Sequence, residues 1–166
     1  IPLPLVALED MQFIDGMLER LSEKTRQHGF LIAVDCIDLV NDYDLVRRIG
    51  AQLAQRNIGI AINDIDAEGA ALAASRDLPV VEMKVNRRLV RGCADDRIKQ
   101  AHCADIIAIA RSAGAKSVAD GVETQSDFLT VRELGFDLLQ GQMFAKPMTP
   151  RKFERTMLAR NYAAVA

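Results

Sequence analysis

Oxygen-bearing side chains recur at one kind of place in this chain, just after short runs of Val, Ile and Leu. Asp35 and Asp38 follow residues 30–34, Asn63 and Asp64 follow 58–62, and Asn86 follows 80–85. Asp120 and Glu123 follow residues 117–119, and Gln140 closes the short run 138–140. Carboxylates and amides are hard oxygen donors that hold cations or hydrogen-bond polar ligands. If the apolar runs are parallel strands, all these side chains lie on the one rim where βα barrels build ligand sites. The same residue types cap helices, so any one of them read alone is more simply a cap. The whole set on a single rim is what points to a site.

The elements that must carry this rim are legible as apolar runs alternating with longer amphipathic stretches, the pattern of repeated βα units around a parallel sheet. Six strands are predicted, at residues 1–5, 30–34, 58–62, 80–85, 117–119 and 138–140. A helix is predicted over 10–28, with Phe13, Ile14, Met17, Leu18 and Leu21 on one face and Gly29 as its stop. Further helices are predicted at 43–56 (Leu45, Val46, Ile49 and Leu53 inward), 101–112, 125–134 and after Pro150.

Pro2 and Pro4 lie two apart, so in a strand both remove N–H donors from the same edge. Such an edge does not accept an ordinary parallel neighbour, which predicts a barrel that is open or rearranged there. Irregular chain over 1–5 is the simpler alternative. An open edge with apolar surface is ordinarily covered by another segment or subunit, which predicts a protein partner or a homodimer.

Composition narrows the class. With 166 residues, 49% apolar and 27% charged, the chain is sized for one compact domain with a substantial core. A net charge of -2 and the lack of a basic tract argue against polymeric nucleic acid as a partner. Cys36, Cys93 and Cys103 form no CxxC pair and no disulfide framework, which fits a reducing cytoplasm. No run approaches a membrane span and no signal peptide opens the chain. The chain starts at Ile1 rather than Met, which predicts a piece of something longer, with any tether in a missing upstream region. His28 and His102 are isolated and are assigned to surface or packing. The charged stretch 87–97 reads as a solvated βα loop, with phosphate contact by Arg87, Arg88 and Arg91 as the alternative, and Met143 and Phe144 read as core.

Two stretches carry a family resemblance. Residues 118–124 (VADGVET) resemble the AEGVET signature of the EAL domain family, and residues 134–147 (LGFDLLQGQMFAKP) resemble its LGCD…QGY.F..P ending. Upstream, residues 60–66 (IAINDID) are similar to IALDDFG and residues 78–86 (LPVVEMKVN) to LPVDTLKID. Residues 32–38 fit the family's LELEITE strand, and 3–13 its VNLS segment with the following helix, so the resemblance covers essentially all of the chain. It implies an α/β fold, an incomplete or modified TIM-type (β/α) barrel of about six mostly parallel strands, with the first strands of the family barrel missing. It also implies the chemistry of cyclic di-GMP phosphodiesterases, in which two Mg²⁺ or Mn²⁺ ions activate water and neutralise phosphate.

Two neighbouring dications repel unless carboxylates lie between them, so the ligand set decides whether that chemistry survives. The Glu of the EAL tripeptide falls before Ile1, and the Asn of VNLS aligns with Pro2, which has no ligand atom. Asp35 shortens the Glu of ELEITE, Asn63 replaces the bridging Asp, Asn86 replaces the Asp of KID, and Asp120 shortens the Glu of AEGVE. Gln142 replaces the Tyr of QGY, and 65–72 (IDAEGAAL) departs from the FGTGYSSL loop that couples dimer contact to the site. Asp64, Lys84, Glu123 and Gln140 keep their family identities, which in the family's enzymes put the Lys beside phosphate or water and the Glu under the dimerisation loop.

The sequence therefore predicts a degenerate EAL-like unit over 1–166 with a vestigial ligand-binding rim of Asp35, Asn63, Asp64, Lys84, Asn86, Asp120, Glu123 and Gln140. No catalytic residue, bound metal or other cofactor is expected. The expected role is that of a cyclic di-GMP receptor, a protein-interaction module, or both. An active phosphodiesterase giving pGpG and a purely structural domain without nucleotide binding are the alternatives.

Overall fold

In the computed structural model the described residues are 2–23, 29–74 and 78–163. Five parallel strands form one sheet: β1 (Phe30–Asp35), β2 (Ile58–Ile65), β3 (Val80–Val85), β4 (Lys116–Asp120) and β5 (Leu138–Gln140). Their order in space is their order in the chain, and the sheet does not close on itself. Before β1 lie α1 (Leu5–Leu8) and α2 (Met11–Glu19); α3 (Cys36–Asn41) and α4 (Tyr43–Ala54) connect β1 to β2, and α5 (Ala67–Ala73) follows β2. Then come α6 (Arg87–Val90), a 3₁₀ turn (Cys93–Asp95) and α7 (Arg97–Ser112) after β3, α8 (Gln125–Leu134) after β4, and α9 (Pro150–Ala163).

Alternation along each strand decides which face the helices cover. Ile32, Val34, Ile60, Ile62, Met83, Val85 and Ala119 lie in one buried cluster with Val46, Ile49 and Leu53 of α4, Ile106, Ile107 and Ala110 of α7, and Val131 of α8. Each of the Val, Leu, Ile and Met side chains among them contributes roughly 1.5–3 kcal/mol through burial. The opposite face is narrow-waisted. A Cβ on Gly59 would come within 2.6 Å of Leu31 and 2.8 Å of Val81, so these three share that face. It stays partly open to solvent, with Val81 44% exposed on β3 and Leu138 42% exposed on β5.

The first predicted strand, over 1–5, is reduced to a single bridge. Pro2 bridges Ala33 in parallel and the Leu3 N–H donates to the Ala33 carbonyl at 3.3 Å, after which Pro4 turns the chain into α1. Because Leu3 directs its N–H to β1, alternation sets the nitrogens of Pro2 and Pro4 on the far side, leaving an edge without donors.

Helix bounds also differ from the sequence pattern. The 10–28 helix is present as α2, whose N-terminus the Asp10 carboxylate caps by accepting from Gln12 and Phe13 N–H at 2.9 and 3.1 Å. Arg20 and Leu21 then tighten into i→i+3 bonds that end it, Phe13 is exposed rather than inward, and 24–28 with His28 lie outside the described residues. The helix predicted from 101 starts at Arg97, because Asp96 caps it by accepting from Ile98 and Lys99 N–H at 3.0 and 3.1 Å. The predicted loop 87–97 is instead α6, the 3₁₀ turn and the start of α7.

β5 is three residues long, and it is held to β4 at both ends. At the lower end the Ser117 N–H and hydroxyl both donate to Asp137 Oδ2, at 2.8 and 2.7 Å, and the Asp137 N–H donates back to Ser117 Oγ at 3.1 Å. These bonds hold the Asp137 carboxyl below the usual carboxylate range. At the upper end Gly121 and Val122 N–H donate to the Gln140 carbonyl at 2.9 and 3.0 Å, and Met143 N–H donates to the Val122 carbonyl at 3.2 Å. Met143 and Phe144 therefore sit on an outward turn, 39% and 42% exposed, and not in the core as the sequence suggests. Phe144 packs edge-on against Phe128 with ring centroids 5.8 Å apart.

The three cysteines are free and buried. Burial raises all three thiols, Cys93 to about 11 and Cys103 to about 12, which leaves them protonated and unreactive. Among the described residues no helix is long and apolar enough to cross a membrane.

Gly141 is the tightest point of the β4–β5 lock, since a Cβ there would fall within 2.6 Å of the Val122 carbonyl carbon. Gly141→Ala is expected to cost about 3 kcal/mol in urea unfolding. Gly16→Ala, in α2 with nothing within 4 Å of the new methyl, is expected to gain roughly 0.5–1 kcal/mol. A wild-type urea midpoint for Gly141→Ala would refute this account of the lock.

Candidate functional site

The rim is built strand by strand, and β2 supplies its most unusual backbone. The β2–β3 register slips between Ile62 and Ile65, and within that irregularity Asp64 adopts φ +53°. Left-handed backbone at a non-glycine residue costs energy, and bulges of this kind re-aim side chains next to ligand sites. Asn63 emerges beside Asp64, with its Oδ1 buried and without a hydrogen-bond partner.

β3 delivers Lys84, half-buried, and then Asn86. The Asn86 N–H donates to the Ile65 carbonyl at 3.1 Å, and its Oδ1 accepts from the Arg88 N–H at 2.9 Å, capping α6. That cap brings Arg87 and Arg88 onto the rim. From β4, Asp120 stands 4.0 Å from the Arg87 guanidinium.

These residues line a cleft of about 530 Å³: Asn63, Asp64, Lys84, Asn86, Arg87, Arg88 and Asp120. A second cleft of about 620 Å³ shares Arg87 and Asp120 with it and continues along Glu123, Gln140, Gln142 and Lys146 to Pro147, Met148, Pro150 and Phe153. The two form one groove, charged at the β2–β3 end and apolar at the α9 end. Asp35 and Asp38 are not in it. They line a separate cleft of about 490 Å³ with Pro2 to Val6, although Asp35 and Asn63 are partners in the β1–β2 ladder.

The charged end mixes cations, carboxylates and neutral amides. Lys84, Arg87 and Arg88 face two carboxylates, Asp64 and Asp120, while Asn63 and Asn86 are neutral. Among the described residues neither Lys84 nor Arg88 has an ion pair. Nor do the described residues include a group of three or more His, Cys, Asp or Glu able to hold a metal ion. His102 is exposed on α7 and borders a small cleft with Asp66, Glu68 and Arg88.

Glu123 pairs with Arg91 at 3.1 Å, so Arg91 answers a carboxylate while Arg87 and Arg88 enter the cleft. Behind that pair lies Asp127, which sequence reasoning did not single out. It is 3% exposed, and its carboxylate accepts from Gly92 N–H (3.1 Å), Ala94 N–H (3.2 Å) and the Thr124 hydroxyl (2.9 Å). The Asp127 N–H in turn donates to Thr124 Oγ1 at 3.1 Å. Burial pushes this carboxyl up, but the bonds from Gly92, Thr124 and Ala94 outweigh it and leave it below the usual range. The signal that marks it in sequence is Thr124-x-x-Asp127 ahead of an apolar run, a capping box.

The family model for the EAL domain matches residues 1–147. Over 151 residues the chain is 35% identical to a bifunctional diguanylate cyclase/cyclic di-GMP phosphodiesterase, MucR, of Pseudomonas aeruginosa, covering 86% of this chain and 22% of that protein. It is 31% identical over 107 residues to the cyclic di-GMP phosphodiesterase PdeL of Escherichia coli, covering 64% of this chain and 30% of that one. Among solved structures, the EAL domain of Mycobacterium smegmatis DcpA aligns with TM-score 0.81 at 24% identity, over 96% of this chain and 72% of that one. A manganese/cyclic di-GMP complex of Klebsiella pneumoniae BlrP1 aligns with TM-score 0.78 at 26% identity, over 89% of this chain and 38% of that one. The chain belongs to the EAL domain family, and it spans between about a fifth and a third of the length of these two curated relatives.

Asp127 gives the site an acid limit. Its folded value lies below its unfolded one, so the stability it contributes is complete above about pH 4 and is lost as pH falls through the folded value. Asp127→Asn is expected to lose on the order of 2 kcal/mol at pH 7. It should also show a shallower fall in stability than wild type in melts between pH 5 and 2.5. An equally steep acid limb in the variant would assign the effect elsewhere.

Proposed function

We propose that residues 1–166 form one degenerate EAL unit that binds cyclic di-GMP without hydrolysing it and reports the bound state to a protein partner. The observation that carries this reading is the donor set at the charged end of the groove. Amides at Asn63 and Asn86 stand where the family motifs have carboxylates, and three cationic side chains share the cleft with only two anionic ones. A pair of dications does not fit there: a neutral amide does not bridge two of them, and Arg87, Arg88 and Lys84 repel them. Asn63 Oδ1, buried without a partner, asks for a single donor such as a hydroxyl, an N–H or a water, and adds no charge.

Relatives and solved neighbours carry cyclic di-GMP in their names and complexes. A charged end continuing into Pro147, Met148, Pro150 and Phe153 offers cations to a phosphodiester of the central ring and an apolar bed to a guanine that projects from it. The exposed Val81 and Leu138 on the uncovered sheet face are the surface we assign to a protein partner or a second copy. Buried, protonated thiols accord with a cytoplasmic setting.

Catalysis is the competing reading, favoured by the phosphodiesterase names of the relatives. Titration calorimetry with cyclic di-GMP is expected to show binding, and chromatography after incubation with Mn²⁺ is expected to show intact ligand. pGpG formation that Asp64→Ala abolishes would establish the enzyme and end the proposal. Absence of heat and of competition would remove the receptor role. Val81→Glu is expected to lower any self-association seen by sedimentation while leaving nucleotide binding unchanged.

A further inference from the structure

We infer that the charged end of the groove is an anion site in which Lys84, Arg87 and Arg88 do the work of divalent cations, so that a phosphate group binds there with no metal. This deepens the reading above and rests on it for the identity of the whole ligand, but the anion site itself stands on the cleft's own residues.

The charge count is the first observation. Three cationic side chains less two carboxylates leave a net charge of +1 in the cleft. One phosphodiester brings a single negative charge and neutralises it, whereas an arriving dication raises the local charge to +3. The second observation concerns Lys84. It is half-buried at the end of β3, lines the cleft and pairs with no carboxylate among the described residues, so its ammonium is free to meet an anion that enters.

Arg88 is the third. Its main-chain N–H is fixed by Asn86 Oδ1 at 2.9 Å, which holds the residue at the rim, while its exposed guanidinium has no ion pair. A guanidinium presents paired donors in a plane that matches two phosphate oxygens, which an ammonium does not. Arg87 is engaged only loosely, 4.0 Å from Asp120 and beyond hydrogen-bond reach, so its donors also remain for a ligand. Asp64 and Asp120 line the same cleft and hold its net charge to +1, the charge that one phosphodiester neutralises.

The test uses the 166-residue chain, with cyclic di-GMP and inorganic pyrophosphate as separate probes in calorimetry, each in EDTA and in Mg²⁺. The expected result is cyclic di-GMP affinity in EDTA within about two-fold of that in Mg²⁺, and a loss of roughly ten-fold or more in Arg88→Gln, the scale of one charged hydrogen bond. Arg88→Lys should recover only part of that loss, since it restores the charge without the fork. Arg88 is exposed and its capping bond is from the backbone, so both variants should melt as wild type does. Cyclic di-GMP binding that needs Mg²⁺, or that Arg88→Gln leaves intact, overturns the anion site while the receptor reading survives. Pyrophosphate binding lost in Arg88→Gln, with no cyclic di-GMP binding at all, supports the anion site and removes the receptor reading. Binding of neither probe overturns both.

Discussion

Asp127 is almost wholly withdrawn from solvent, and both its oxygens are engaged by backbone N–H groups from a different βα connection. Bonds of this kind are strong because a charged acceptor sits among donors that would otherwise be orphaned. They lash the 3₁₀ turn after β3 to the start of α8. With that turn fixed, Arg91 stands opposite Glu123, and Lys99 adds a second tie by donating to the Arg91 carbonyl at 2.6 Å. The wall of the groove near β4 is therefore rigid for reasons that lie behind it, outside the groove itself.

Against that fixed wall, the chemistry of the charged end is governed by sign. The fold is shared with EAL domains that align across most of the chain. At this rim Asn63, Asn86, Arg87 and Arg88 line one cleft with Lys84, Asp64 and Asp120, so cations, anions and neutral amides meet in it. The bulge at Asn63 and Asp64 sets an amide and a carboxylate side by side, the second on left-handed backbone.

Much of the architecture was legible because particular residues punctuate it. β3 is bounded by Pro79 and Asn86 and was readable to the residue, as was α8 between Thr124 and Gly135, whose φ of +86° closes the helix. The short helices α3, α5 and α6 were not readable. Each begins within two residues of a strand end, and their cap positions (Asp35, Asp66 and Asn86) are the residue types that also signal a ligand rim. Asn86 shows the ambiguity, since it caps α6 and lines the cleft at once. The division of the rim, with Asp35 and Asp38 in their own cleft, depends on side-chain directions that strand periodicity does not encode. The apolar run 1–5 has a strand's composition, but Pro4 already belongs to the entry of α1.

Spatial order equal to chain order has a consequence for how the molecule is made. Each strand pairs with the one synthesised just before it, so a chain leaving the ribosome lays down its sheet one edge at a time, every new strand finding its template already in place. No strand waits for a distant partner across the sheet. β5, three residues long, has the least ladder of its own and relies on clamps at its two ends, so the sheet is completed only when Asp137 and Gly141 have both emerged to close them.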